Sequence, residues 1–217
     1  LVWKLFDKLQ PNDLIPLALN TIFGRSHFVP LPPLSEPYWA GNKSIIAPKY
    51  INPELAELIG YFMGDGSLHS KGLRFCVAGG DDDVTARLVE LGQMLFNLEA
   101  KKTARKGYTE VTLQSGALAI WWDASGFAKH IPENKPAHRG KGYQPHLPDI
   151  LLATNDRAVY QAFLRGLFEA DGTASGGVPA FSSASHQFSQ EIASLLLALG
   201  YPVTRKIDRS GWGKKEL

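Results

Sequence analysis

The sequence predicts a mixed α/β (α+β) fold built as a pseudo-two-fold repeat of αββαββα modules, the second copy incomplete. Three observations carry this. Two glycine-ended apolar segments, "LIGYFMGDG" (58–66) and "LRGLFEADG" (164–172), share the leading leucine, a glycine at the third position, an aromatic at the fifth, a small residue at the seventh and a closing Asp-Gly. The same order of helix and strand patterns follows each. Their aspartates, Asp65 and Asp171, stand 106 residues apart, a period the size of a small domain.

Composition sets the outer bounds. The 217 residues are 44% hydrophobic and 20% charged, enough for a buried core. A net charge of +2 and a pI near 8.6 permit nucleic-acid binding without arguing for it, so any basic surface must come from local clustering. A single cysteine, Cys76, excludes internal disulfides and a cysteine-rich zinc site and suits a reducing interior. No apolar run is as long as a membrane span and no cleavable signal layout opens the chain. A bacterial cytosolic or nucleoid location, with no membrane partner, is the expectation.

Taken in order, residues 1–52 form an arm and linker. "LQPNDLIPLAL" places turn chemistry before a strand-like stretch, and Pro30, Pro32, Pro33, Pro37 and Pro48 break any long helix. Residues 53–155 form the first repeat with its connecting loop. Pro53 at a first-turn position, Glu54 beside it and the stripe Leu55, Leu58, Ile59 and Phe62 predict a helix that stops at Gly64-Asp65-Gly66. Two strands about the Lys71-Gly72 turn follow, then a helix over "DDDVTARLVELGQMLFNL", a basic strand in "EAKKTARKG", the alternating "YTEVTLQS" and the apolar helix "GALAIWWDASGF". Residues 156–217 repeat the start of this order, with a strand pair across Gly176-Gly177, the helix "HQFSQEIASLLLALG" and a basic strand in "YPVTRKIDR". Equivalents of the last two elements do not appear.

One feature is chemically odd. Glu169 and Asp171 lie in the last turn of their helix, and Asp65 in the last turn of its own, where the helix dipole already places negative charge. A lone Asp-Gly there is an ordinary solvated turn. A matched pair points to a bound cation.

On these two motifs and their matching downstream order, residues 53–210 resemble the LAGLIDADG homing endonucleases. "WKLFDKLQPNDLIPLAL" further looks like the end of an intein's N-terminal splicing half, and "FLRGLFEADGT" with "GKGYQPHLPD" resembles inteins of ribonucleotide reductase genes. With no Cys or Ser at the start and no His-Asn at the end, splicing is not expected of these residues themselves. The small pairs Gly60/Gly64 and Gly166/Ala170, at four-residue spacing, allow two helices to approach closely and bring Asp65 and Asp171 together. Their repulsion is relieved by an oxygen-preferring divalent ion, Mg²⁺ physiologically, with Ca²⁺ or Mn²⁺ able to substitute. The resemblance implies that these carboxylates hold metal against the scissile phosphates of double-stranded DNA. It also implies a monomer with internal pseudo-symmetry that cuts both strands. Glu169, whose counterpart is Met63, receives a lesser, supporting role.

The family also places a lysine a few residues before a proline ahead of the second motif. Aligned on Pro148, that position falls near Pro145. Lys141, between Gly140 and Gly142, is the first replacement and Lys129 the second. DNA contact is expected from antiparallel β-ribbons carrying Lys71, Arg74, Lys101, Lys102, Arg105 and Lys106 in the first repeat and Arg205, Lys206 and Arg209 in the second. The scattered His69, His130, His138 and His146 lack metal-ligand spacing. Trp121-Trp122 reads as core, and Cys76 as packed between Phe75 and Val77. Two other functions compete with the nuclease: a catalytically degenerate DNA-binding regulator or RNA-splicing maturase of the same fold, and a two-carboxylate glycoside hydrolase. The basic strands suit phosphates better than neutral sugars.

Overall fold

The computed structural model describes residues 4–13, 15, 18–21, 24–35, 45–131 and 143–206. Helix α1 (Pro53–Asp65) begins where Asn52 caps it, its side chain accepting from Leu55 N at 2.8 Å, with Pro53 at the position that needs no N–H. There follow β1 (Gly66–His69), β2 (Gly72–Ala78), α2 (Asp82–Phe96), β3 (Lys101–Arg105), β4 (Tyr108–Gln114) and α3 (Gly116–Ala124). The first αββαββα module is therefore complete. After α4 (Asp149–Leu152), Asp156 caps α5 (Arg157–Asp171). Strands β5 (Gly172–Thr173) and β6 (Ala180–Phe181) lead to α6 (His186–Ala198), capped by Ser185.

The first module's sheet is antiparallel in the order β1-β2-β4-β3. Its strands alternate as a half-buried sheet should. Leu73, Phe75, Val77, Val111 and Leu113 point into the core, while Arg74, Glu110 and Thr112 lie half-buried on the opposite face. The apolar face meets α1 edge-to-face through Phe62 and Phe75, 6.3 Å between ring centres. Trp121 and Trp122 are buried with Phe96, Phe127 and Phe62 in one aromatic cluster, and Trp121 Nε1 donates to Pro32 O at 2.8 Å.

Helices α1 and α5 form the central seam. A side chain at Gly60 would collide with the carbonyl of Phe163, and one at Gly166 with the carbonyl of Glu57. Each glycine thus lets the other helix's backbone in, the reciprocity expected of two related motifs. Glu57 is buried in this seam. Arg87 reaches it through Nε and Nη2 at 3.0 and 2.8 Å, and Arg165 through Nη2 at 2.6 Å. Burial pushes its carboxyl up, but the two guanidiniums outweigh that and hold it below the usual range.

Several expectations change. Val29, Leu31, Ile45 and Ile51 of the arm are buried in the core, and Pro30 pairs with Tyr50. No strand forms among the described residues of the stretch after Pro11, although Asn12 does make the turn, at φ 78°. In the second module the hairpin has only two-residue strands around a short 3-10 turn (Ser175–Gly177). Residues 201–206 are not a strand. In the first module β3 is held by β4, and no described strand performs that service for 201–206. Cys76 is half-buried on the outer face of β2, because its neighbours Phe75 and Val77 take the core. Among the described residues no helix is long and apolar enough to cross a membrane.

Candidate functional site

Asp65 and Asp171 are the last residues of α1 and α5. Both helices then run directly into strands through Gly66 and Gly172. These glycines do not stop the helices by turning left-handed, as helix-ending glycines often do. Both are extended (φ −84° and −82°), and glycine is required because a side chain would strike Phe62 or Phe168 one turn earlier.

The seam brings the two ends together. A Cβ built at Gly64 would lie 3.3 Å from Asp171 Oδ2, so the Asp171 carboxylate rests against the residue preceding Asp65. Neither helix has a basic side chain in its last turn. The compensating cation comes from the loop after α3: Lys129 Nζ donates to Gly64 O at 2.5 Å and sits 5.8 Å from the centre of the Phe62 ring.

The three groups perturb one another. Burial, then repulsion from Asp171, raises the Asp65 pKa to about 6 against the pull of Lys129. Burial likewise raises Asp171, with Lys129 again opposing. Burial lowers Lys129 to about 8, while Asp171 and Asp65 favour its charge. Both aspartates keep an exposed edge, so the surrounding helix ends remove part of their water without closing them off.

These residues fit a divalent cation. Two carboxylates that resist ionising together are hard oxygen donors whose repulsion a dication would relieve. Among the described residues no third His, Cys, Asp or Glu joins them, so water or substrate oxygens would complete the shell, the habit of Mg²⁺. A cavity of about 440 Å³ opens beside Asp171 and Lys129 and is lined by Tyr143, Gln144, Ser182 and Ser183. Asp65 borders instead a smaller pocket of about 50 Å³ with Tyr61, Cys76, Asp81 and Glu169. Glu169 is thus near Asp65, on the Tyr61 side.

Lys141 lies outside the described residues. Sequence reasoning missed Tyr143 and Gln144. Gln144 exchanges both backbone hydrogen bonds with His130, at 2.9 and 2.8 Å, anchoring the segment beside Lys129. Nothing in the local sequence announces a pairing across that distance. The same pairing corrects the reading of the histidines as scattered: His130 and His146 stack with ring centres 3.8 Å apart, and burial lowers the His146 pKa. His138 lies outside the described residues.

The expected DNA-contacting cations separate by position. Cross-strand register puts Arg74, Thr112 and Lys101 in one row of the outer face, and places Arg105 beside Tyr108 on that face. Lys102, opposite Val111, belongs to the other face but is exposed at the sheet edge. Lys71 and Lys106 occupy the two hairpin turns. Arg205 and Lys206 are exposed in irregular chain, and Arg209 lies outside the described residues.

Comparison with known proteins gives a family-model match to the end of the chain and a fold. Residues 158–217 match the family model described as a LAGLIDADG-like domain. The chain is 28% identical over 168 residues to an A-type ATP synthase subunit of Pyrococcus abyssi, covering 76% of this chain and 15% of that protein. It is 27% identical over 170 residues to the replication factor C small subunit of Methanocaldococcus jannaschii (74% and 8%). To the glutamine–fructose-6-phosphate aminotransferase of the same organism it is 30% identical over 158 residues (70% and 13%). The chain therefore spans no more than 15% of the length of these relatives. Among solved structures, mesophilic variants of the homing endonuclease I-DmoI match with TM-score 0.53 at 17% identity, over 73% of this chain and 83% of that one. I-DmoI in complex with DNA and Mn matches with TM-score 0.51 at 17% identity, over 73% and 84%. At such identities the likeness is one of fold: the mixed α/β architecture with its antiparallel sheet is similar to that of the homing endonuclease I-DmoI.

Proposed function

We propose that this chain, with its LAGLIDADG-like domain and homing-endonuclease fold, is a site-specific endonuclease that cleaves both strands of double-stranded DNA by metal-dependent phosphodiester hydrolysis. One observation carries the reading: two carboxylates, Asp65 and Asp171, end two helices packed backbone to backbone, with a partly desolvated lysine between the helix ends. The I-DmoI complex with DNA and Mn supports the choice of substrate and of a divalent ion.

Asp65 and Asp171 would hold Mg²⁺, or Mn²⁺ in its place. When bound, such an ion activates water and stabilises the leaving oxygen. The chain's own residues do the rest. The seam sets the separation of the carboxylates, and the cavity beside Asp171 gives a phosphodiester room next to Lys129. The Lys129 ammonium offsets charge developing on the phosphate, and its lowered pKa suits it to giving up or accepting a proton near neutral pH. The outer face of the first sheet supplies Lys101, Arg74 and Arg105 to the duplex.

The relatives support a mobile module. A component of an ATP synthase, a replication factor and an aminotransferase have no named activity in common, yet each shares this segment over a small part of its length. That pattern fits an endonuclease inserted within host proteins, as in an intein. The chain acts as a monomer in the cytosol or nucleoid, its two motifs standing in for two protomers.

The test is cleavage of duplex DNA spanning an insertion-free host allele, with Mg²⁺, by the wild-type chain and by Asp65→Asn and Asp171→Asn variants. Double-strand breaks lost in both variants, with duplex binding kept, are expected. Binding without cutting under Mg²⁺ and Mn²⁺ would overturn the nuclease reading in favour of a DNA-binding regulator.

A further inference from the structure

Glu110 is the one acidic residue among the strands of the four-stranded sheet, and it stands on the outer face that the proposed function turns toward DNA. An acid there repels phosphate. Its place is central: β4 lies between β2 and β3, and Glu110 is paired with Cys76 on one side and Thr103 on the other. From that position it takes an arginine from each neighbouring strand. Arg105 donates to Oε2 through Nε and Nη2, at 3.1 and 2.9 Å. Arg74 Nη1 lies 3.7 Å from Oε1, a looser contact, and its Nε has no hydrogen-bond partner. The Glu110 side chain is 14% exposed, whereas Arg74 and Arg105 are 40% and 50% exposed. The carboxylate is therefore sheltered and the guanidiniums face outward.

The geometry points to Glu110 as a specificity-determining residue: it holds Arg74 and Arg105 as an oriented pair and withholds their charge from phosphates, so that only a duplex offering matched base edges draws them away. An arginine reads guanine through a planar two-donor fork, and that fork discriminates only if its direction is set before contact. A guanidinium on a flexible stem otherwise settles on the nearest phosphate, which carries no sequence information. With one carboxylate between two arginines the cluster keeps a single net positive charge, enough to attract DNA but less than two released arginines would supply.

This inference rests on the DNA-binding reading, and a salt titration separates the two. Binding of a random-sequence duplex is measured against salt concentration for wild type, Glu110→Gln, Arg105→Gln and the double variant. In Glu110→Gln, random-duplex binding should tighten, and the slope of log K against log salt should steepen by about 0.9 for each arginine released. Arg105→Gln should change the wild-type slope by clearly less than about 0.9 but remove that full amount in the Glu110→Gln background. A role confined to holding the hairpin would lower the melting temperature and leave these slopes alone. Unchanged or weaker binding by a folded Glu110→Gln, or an additive double variant, would overturn the assignment and spare the DNA-binding reading. Failure of the wild-type chain to bind any duplex would overturn both.

Discussion

Lys129 Nζ donates to the Gly64 carbonyl at 2.5 Å, so the cation missing from the last turn of α1 is delivered by a loop sixty-five residues downstream. That contact fixes the ammonium beside both terminal aspartates. Lys129→Met should therefore do two separable things. Asp65, losing the charge that draws it down, should titrate above about 6, as read from carboxyl carbon chemical shifts. Cleavage should fall by about 10²–10³-fold, the usual cost of removing one donor to a developing oxyanion. An unmoved Asp65 titration would mean that the ammonium does not share the site.

The carboxylate pair costs the fold stability. Asp65→Asn in the metal-free protein should raise the melting temperature at pH 7–8. The gain should be about 1 kcal/mol once solvent screening of these partly open groups is discounted, or about 2–4 °C. Calorimetry reads this directly, and a lowered melting temperature would contradict the repulsion.

The pH dependence has a definite sign. A folded pKa near 6 lies above the ordinary 3.8, so the unfolded chain ionises first as pH rises. The stability linked to protonated Asp65 is complete below about pH 4 and is lost as pH climbs through about 6. The melting-temperature advantage of Asp65→Asn should accordingly grow across that window and then level off. Apparent Mg²⁺ affinity should run the other way, falling about tenfold for each pH unit below about 6 as a proton competes for the ligand.

The glycine seam makes a packing prediction. Gly60→Ala or Gly166→Ala places a methyl group against the carbonyl of Phe163 or of Glu57, atoms that a packed helix cannot move aside. Each should cost about 1–3 kcal/mol, seen as a lower denaturation midpoint. Cleavage should fall as well in protein that remains folded, because the carboxylate spacing is set by that seam.

Glu57 ties α2 and α5 to α1 through Arg87 and Arg165. Glu57→Ala should destabilise the protein by about 1–3 kcal/mol, through lost charge-assisted hydrogen bonds and packing, because the guanidiniums left behind reach solvent. Urea unfolding measures it. Because Arg165 is more than half exposed, Arg165→Ala should cost far less.

Much of the architecture was legible in the chain itself. Local chemistry wrote it: the Asn52-Pro53 start of α1, the period-two alternation of β2 and β4, and two glycine-marked helices of matching pattern. The repeat told where Asp65 and Asp171 would fall and why a cation would suit them, since the C-terminal end of any helix disfavours a carboxylate. Other features needed tertiary contact. Lys129 gains its place from a backbone pairing of His130 with Gln144, and its low pKa from the burial that follows. Glu110 looks like an ordinary strand acid until β2 and β3 bring an arginine to each side of it. The short second hairpin is also tertiary in origin, because a strand exists only where another lies beside it. Helix ends and alternation depend on neighbours a few residues away, which sequence displays; charge pairs and strand pairs depend on residues brought near by the fold, and only the packed chain decides which those are.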